Sequence, residues 1–310
     1  VSSGTNAIYL ALKVCGIKKT DHVLVPCLSW LSTFTAVKHL GAMPIGIDIS
    51  SDLQIDLNLI KKNITKKTKA IIVVHFTGYL KNYDKLKEFC NKKKIYLIED
   101  ASQSFGARIL NKPSGSFGNL SCFSMNPMKV FAALGDAGTV STDNFKQYNK
   151  LLSLRYAGTI KKEKTYYPDL NHKIDTLQCL ILNQNLKNLK NIIKKRIKNA
   201  KLYENNLTNK IKKPPFKSDF QHVYYTYSIL CENRDKLRKY LIDKKGIETK
   251  IQHPYIISDH PGLKDRYNFS KKFPVGNKIK NEILSLPVHE KLTKKEIFYV
   301  INAVNNFYGK

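Results

Sequence analysis

At 310 residues and 42% hydrophobic composition, the chain is long enough for one large α/β domain plus a smaller one. No apolar run is long enough to span a bilayer and no signal-peptide pattern appears, so no membrane partner is expected. The formal charge of +29 invites a nucleic-acid reading. The basic residues, however, are spread over nearly every predicted helix beside many Asn and Ile, and no RNA- or DNA-binding motif appears. Nucleic acid is therefore not an expected partner, and the charge is left to steer an anionic substrate.

The six cysteines (Cys15, Cys27, Cys90, Cys122, Cys179, Cys231) form no CxxC pair and mostly sit in apolar runs, which suits core thiols in a reduced, cytoplasmic protein with no metal site. The chain opens at Val1 directly in what reads as the loop-to-helix entry of a domain already under way, so a native N-terminal segment is expected to be missing. Ser2-Ser3-Gly4-Thr5-Asn6 precedes the helical pattern Ala7, Leu10, Ala11, Val14; a small polar turn entering a helix suits a phosphate, and equally an ordinary N-cap. Val23–Pro26 reads as a strand and Ser29–Val37 as the start of a helix, with the sole tryptophan, Trp30, at the junction, where it either covers a flat ligand or packs in the core.

Pro44–Ile47 is a second strand and Asp56–Ile64 a basic helix. Strands and helices then alternate: Ala70–Val74 ends in His75, Tyr83–Lys93 is amphipathic, Ile95–Ile98 runs into Glu99-Asp100-Ala101-Ser102-Gln103, and Leu120–Phe123 ends in Ser124. A Pro-containing turn follows and presents Lys129, ahead of Ala132, Ala133, Gly135, Ala137 and Gly138. Near-continuous apolar runs separated by helices predict a parallel sheet buried on both faces, whose ligands bind beyond the carboxyl ends of the strands. His75, Asp100, Gln103, Ser124 and Lys129 all fall on that edge, a convergence of acid, base, anion contact and amine that reads as an active site.

Asn144–Tyr156 is a helix, Gly158–His172 an irregular basic segment, and a long helical pattern runs from Ile174 to Leu207. Pro214-Pro215 marks a boundary region. Val223–Leu230 alternates as a strand, Arg234–Lys245 is a helix, Glu248–Ile251 and Leu284–Val288 are strands, and Lys294–Phe307 is a closing amphipathic helix. The expected architecture is α/β: a three-layer αβα sandwich with a mainly parallel central sheet over residues 1–207, its long connecting helix last, plus a small C-terminal α+β domain over residues 208–310.

An acid at a strand end and a lysine in a later loop have a well-known joint use with pyridoxal 5'-phosphate (PLP): the lysine holds the cofactor as a Schiff base while the carboxylate pairs with the pyridinium nitrogen. In that reading Gly4, Thr5 and Ser124 supply phosphate contacts, Trp30 covers the ring and Gln103 bonds the ring hydroxyl.

At these residues the chain resembles the DegT/DnrJ/EryC1 sugar aminotransferases, of PLP fold type I. The resemblance covers most of the chain in order: Ser3-Gly4-Thr5, Gly41-Ala42-x-Pro44, Val74-His75-x-x-Gly78, Glu99-Asp100-Ala101-Ser102-Gln103, Phe123-Ser124-x-x-Pro127-x-Lys129, Gly135-Asp136-x-Gly138, Leu154-Arg155-x-x-Gly158, Asn171-x-x-Ile174-Asp175-x-x-Gln178 and Leu284-Ser285-Leu286-Pro287. It implies that Lys129 is the covalent and acid/base residue, that Asp100 binds the pyridine nitrogen, and that Trp30 stands where the family usually has another aromatic. It further implies that Asn171 reaches the phosphate of a neighbouring subunit, making the enzyme a homodimer with a shared site.

The implied reaction moves an amino group, with glutamate as donor, to a nucleotide-linked keto-deoxysugar for glycan or amino-sugar biosynthesis. A keto-cyclitol acceptor, or an inactive basic anion-binding homologue, are the alternatives. Ala137 and Lys173 depart from the family's usual Gly and Arg, and Ala137 is the first place to look for substrate differences. The loop from His253 to Pro261 is expected to contact substrate.

Overall fold

The computed structural model describes residues 1–215, 220–264 and 273–309. In chain order the first half comprises α1 (Gly4–Val14), β1 (His22–Pro26), α2 (Ser32–His39), β2 (Met43–Ile47), α3 (Leu57–Asn63), β3 (Thr68–Val74), α4 (Asp84–Lys93), β4 (Tyr96–Asp100), a hairpin of β5 (Arg108–Ile109) and β6 (Lys112–Pro113), β7 (Leu120–Ser124) and β8 (Gly138–Ser141). The second half continues with α5 (Phe145–Arg155), the hairpin β9 (Thr159–Ile160) and β10 (Lys164–Thr165), α6 (Thr176–Leu186), α7 (Leu189–Asn206), β11 (Phe220–Gln221), β12 (Tyr227–Leu230), α8 (Arg234–Lys239), α9 (Pro261–Lys264), α10 (Pro274–Glu282), β13 (Ile283–Leu286) and α11 (Lys294–Phe307).

The six long strands of the first half form one sheet in the order β2-β1-β3-β4-β7-β8. Every pairing is parallel except that of β7 with the edge strand β8. Continuous apolar strands such as Ala70–Val74 are buried because helices cover both faces. On one face Ala7, Leu10, Ala11 and Val14 of α1 pack with Phe34 and Val37 of α2 and Leu151 and Leu154 of α5. On the other, Ile60, Leu86, Cys90, Leu182, Leu189 and Ile193 pack against Ile71, Val73 and Leu97. This is the expected αβα arrangement.

Helix starts follow local chemistry. Asp56 caps α3 by accepting from the N–H groups of Asn58 (2.8 Å) and Leu59 (3.1 Å). Asn144 and Asp175 cap α5 and α6 in the same way, and Thr293 with Glu296 closes a capping box on α11.

A third core joins Ala200, Tyr203 and Leu207 at the end of α7 to Tyr227, Ile229, Leu237, Leu284, Ile297, Ile301 and Val304 around the antiparallel pair β12–β13. Helix α7 thus enters two cores in turn, through Leu189 and Ile193 and then through Ala200 and Tyr203. The C-terminal part also packs back onto the first face, where Ile256, Ile257, Phe273 and Ile279 are buried.

Several local expectations are corrected. The helical pattern from Ile174 to Leu207 is two helices, α6 and α7, meeting at Lys187 and Asn188. Its apolar residues are not one stripe: Leu177 and Leu180 are 58% and 62% exposed, whereas Leu189 and Ile193 are buried. The strand expected over Val223–Leu230 is only Tyr227–Leu230, and the one over Glu248–Ile251 is a single bridge between Lys250 and Ser285. The β5–β6 hairpin, turning on Leu110 and Asn111 with positive φ (46° and 64°), was not anticipated, and neither was α10.

Candidate active site

Strand β4 delivers two adjacent carboxylates, and its pleat sends them to opposite faces of the sheet. Glu99 faces inward, away from the strand-end cavity. Its oxygens accept from the N–H groups of Gly115 (2.9 Å), Phe117 (2.7 Å) and Gly118 (2.6 Å), from the Ser121 hydroxyl (3.0 Å), and pair with His75 Nε2 (2.7 Å). Burial alone would raise its pKa, but His75 and these backbone donors outweigh burial and hold it below the ordinary carboxylate value. His75 is therefore not a site residue as its strand-end position suggested. It is fully buried, bonded to Glu99, and does not line the cavity.

Asp100 faces the cavity. Thr33 Oγ1 donates to its Oδ2 (2.9 Å) and the Ser102 N–H to its Oδ1 (3.2 Å), while Ser29 and Thr33 share a hydroxyl–hydroxyl bond of 2.8 Å. Both carboxylate oxygens are thus oriented by fixed partners, and the residue is only 4% exposed.

The first turn of α1 lines the same cavity through Ser3, Gly4 and Thr5. The Ser3 hydroxyl caps the helix by accepting from Asn6 N (3.1 Å), and the other first-turn N–H groups have no partner within the helix. Glycine is needed at position 4 because a Cβ there would lie 2.6 Å from Ser124 Cβ. A Cβ at Gly138 would meet Ser3 O at 2.5 Å. The two glycines let the positive end of α1 close directly onto the ends of β7 and β8, where Ser124 adds a hydroxyl. Thr5 Oγ1 is tied to Ser32 Oγ at 2.6 Å.

Lys129 follows β7 on a turn held from several sides. Its N–H donates to Asn126 O (2.9 Å), and Ala133 N returns to Met125 O (2.8 Å). From α6, Gln178 Oε1 accepts from Leu134 N (3.0 Å) and Gly135 N (2.9 Å), and Asn185 donates to Ala132 O (2.8 Å). The Lys129 ammonium sits 4.6 Å from the centre of the Tyr225 ring. Burial pushes its pKa down to about 8, with Asp100 opposing and Lys250 assisting.

One consequence is measurable in the cofactor-free protein. Labelling of Lys129 by an amine-reactive reagent, read by peptide mass spectrometry, is expected to rise with a midpoint near pH 8 instead of the ordinary 10.5. A midpoint above about 10 would show that the cavity does not desolvate the amine.

Gln103 is held by the Thr77 N–H, which donates to its Oε1 (2.7 Å), and its Nε2 lies 3.5 Å from His253 Nε2. Trp30 is 59% exposed, which excludes the core reading; it lines the cavity with its ring centre 5.9 Å from that of His253. Burial, then Lys129 and Lys250, push His253 down to about 3, so it stands neutral in the cavity. Its backbone takes a positive φ of 56°.

The cavity, about 350 Å³, therefore gathers Gly4, Thr5, Trp30, Asp100, Gln103, Ser124 and Lys129. Asn171 is not among its lining residues; it is exposed on the Gly158–His172 segment, its Oδ1 accepting from Lys173 N (3.2 Å). Ala137 is fully buried in the second-face core and does not line the cavity, whereas its neighbour Asp136 does, held by Asn126 Nδ2 at 3.0 Å. The search for substrate differences therefore moves from Ala137 to the cavity wall. Of the loop from His253 to Pro261, His253 and Pro254 line the cavity while Ile256 and Ile257 are buried in the core. Sequence reasoning missed Thr33, Asn126, Tyr225, Lys250 and Gln252. Of these only Lys250 and Gln252 carried a usable signal, two polar residues directly before the noted His253 loop.

The residues present fit PLP. A carboxylate, an amine, an amide and an exposed indole surround a cavity of ligand size, and a glycine-sealed helix N-terminus with a serine hydroxyl offers a phosphate cradle. Fold and site together define a PLP-dependent aminotransferase of the αβα type. Residues 1–305 match the DegT/DnrJ/EryC1/StrS aminotransferase family, and the chain belongs to it. It is 31% identical over 314 residues to the dTDP-3-amino-3,4,6-trideoxy-alpha-D-glucose transaminase of Micromonospora megalomicea subsp. nigra, covering 98% of this chain and 83% of that one. It is 29% identical over 316 residues to GDP-perosamine synthase of Escherichia coli O157:H7, covering 100% and 85%. The solved structure of DesV from S. venezuelae superposes with a TM-score of 0.95 at 29% identity, covering 100% of this chain and 84% of that one.

Proposed function

We propose that this chain transfers an amino group from glutamate to a nucleotide-linked keto-deoxysugar, as a cytoplasmic homodimer serving glycan or amino-sugar biosynthesis. The observation that carries the reading is one cavity in which Asp100, fixed by Thr33 and Ser102, and Lys129, with its burial-lowered pKa, stand with the α1 N-terminus and Ser124. The two relatives named above by activity are a transaminase of a dTDP-linked amino sugar and GDP-perosamine synthase, which supports the acceptor class.

When bound, PLP supplies an electron sink that stabilises negative charge at the carbon carrying the amine. The chain's residues then divide the work. Asp100 would pair with the ring nitrogen and favour its protonated form, which strengthens that sink. Gly4, Thr5 and Ser124 would hold the phosphate, Gln103 would meet the ring hydroxyl, and Trp30 would cover the ring and limit water. The Lys129 amine would hold the cofactor covalently and would serve as the acid–base group that takes a proton from the donor carbon and returns one to the acceptor carbon.

A homodimer is supported by exposed apolar residues beside the lysine loop: Leu134, 77% exposed and hydrogen-bonded to Gln178, adjoins exposed Leu177 and Leu180 of α6. Asn171, exposed on its segment, is assigned to the partner's phosphate. The six free cysteines suit a reducing compartment. Residues 1–207 are taken as the cofactor domain and 208–310 as the smaller one.

The test is spectroscopic. Protein loaded with PLP is expected to absorb in the visible, glutamate to bleach that band, and a nucleotide keto-deoxysugar to restore it. Loaded protein whose band is unmoved by glutamate, with no amine appearing on any nucleotide keto sugar offered, would overturn the reading.

A further inference from the structure

Two lysines line the cavity, and their charges are handled differently. Lys129 shares it with the opposing carboxylate of Asp100. The other acid of the cavity, Asp136, is engaged by the Asn126 amide. Lys250 lines the same cavity from the segment leading to Gln252, His253 and Pro254. Among the described residues its ammonium makes no ion pair and no hydrogen bond. A lone exposed lysine is ordinarily a solvated one, and this chain has many. Three features separate Lys250 from them.

Its backbone is fixed: Lys250 N donates to Ser285 O (3.2 Å) and Ser285 N to Lys250 O (2.8 Å), which locks the residue to β13. Its charge is felt inside, where it lowers the proton affinity of both Lys129 and His253. It also lines, with Tyr225, an adjoining groove of about 470 Å³ that includes Thr226, Thr249, Ser285 and His289, so it stands where the cavity and further open space meet.

We infer that Lys250 is a substrate-binding residue that receives an oxyanion of the substrate, either a carboxylate of the amino donor or the diphosphate of the nucleotide-linked acceptor. This rests on the proposed transamination. An unneutralised ammonium on a fixed backbone is a point-charge contact for carboxylate or phosphate oxygens. It also balances the cavity: binding an anion there removes the repulsion that Lys250 exerts on the Lys129 ammonium.

Calorimetric titration of PLP-loaded wild type, Lys250→Met and Lys250→Arg with two probes tests this. Glutarate represents the donor's carboxylates, and GDP, dTDP and UDP represent the acceptor's diphosphate. Lys250→Met is expected to weaken at least one probe class by about tenfold, and Lys250→Arg to restore most of it. Loss confined to glutarate assigns the donor's carboxylate, loss confined to the nucleotides assigns the diphosphate, and loss of both assigns a shared anion subsite.

A second readout is independent of turnover. In cofactor-free protein, Lys250→Met is expected to raise the labelling midpoint of Lys129 above about 8. Affinities of Lys250→Met within twofold of wild type for every probe, or no binding of any probe to wild type, would overturn the inference. Bleaching by glutamate, recorded on the same wild-type sample, shows separately whether the transaminase reading itself stands.

Discussion

Lys129→Ala is expected to lose amine transfer by on the order of 10⁴-fold, the upper range for a positioned acid–base group. It would also lose covalent attachment of the cofactor. Among the described residues Lys250 is the other lysine lining the cavity, and it is exposed and bound through its backbone to β13. Lys129→Arg is expected to fail nearly as badly, because a guanidinium keeps its proton where a buried amine releases it. Borohydride reduction followed by peptide mass spectrometry should find the cofactor's mass on the Lys129 peptide of the wild type and on no peptide of the variant. The half-reaction with glutamate, followed by stopped-flow absorbance, gives the rate. A variant within tenfold of the wild type would remove Lys129 from the chemistry.

Glu99→Ala is expected to produce the largest loss of stability of any single change near the site, without touching the cavity. It strips the acceptor from three backbone N–H groups and from His75, and one of the two acceptors of the Ser121 hydroxyl, which keeps Gly115 O, all of them buried or nearly so. Each buried donor left unpaired costs about 1–3 kcal/mol, so a total of roughly 5 kcal/mol is expected after relaxation and water entry. The melting temperature should fall by on the order of 10 °C.

The pH dependence carries the same signature. Glu99 is held below its ordinary value of 4.5, so its stabilisation is complete above that value and is lost as pH falls through the lower folded value. The variant's acid limb should therefore be flatter than that of the wild type. Differential scanning across pH 3 to 8 would check both, and a melting temperature within about 2 °C of wild type would show that water replaces the carboxylate at little cost.

The large sheet was legible because buried parallel strands need nearly continuous apolar runs, and Ala70–Val74 and Leu120–Phe123 have them. Strand ends then announced Asp100, Ser124 and the Lys129 loop. The same rule misplaced His75, because position along a strand does not tell which face a side chain takes when both faces are covered. Glu99 rather than the cavity claimed it.

The strands expected after residue 207 were overextended for a different reason. The expected strand takes in Val223 to Thr226, but Tyr224 has a positive φ of 46°, which breaks an extended run, and its ring stacks on that of His222, 3.9 Å apart and 1° from parallel. Thr33 and Tyr225 had no local signal at all. Their roles exist only because α2 and the segment before β12 return to the end of β4 and to the lysine loop.

The two halves of the cavity are built by different stretches of chain. Asp100, Ser124, Gly4 and Lys129 are held by hydrogen bonds and close packing within the first 190 residues, including the clamp from Gln178 and Asn185. The facing wall, Tyr225 and Lys250 to Pro254, arrives from near β12 and β13 and shares none of those bonds. Selection can therefore vary much of the wall without breaking the bonds that hold the electron-handling half, with Tyr225, Lys250 and His253, which act on Lys129 and Gln103, the positions that link the two. That separation gives a lineage a short route to new sugars, and it tells an engineer which positions to randomise and which to leave alone.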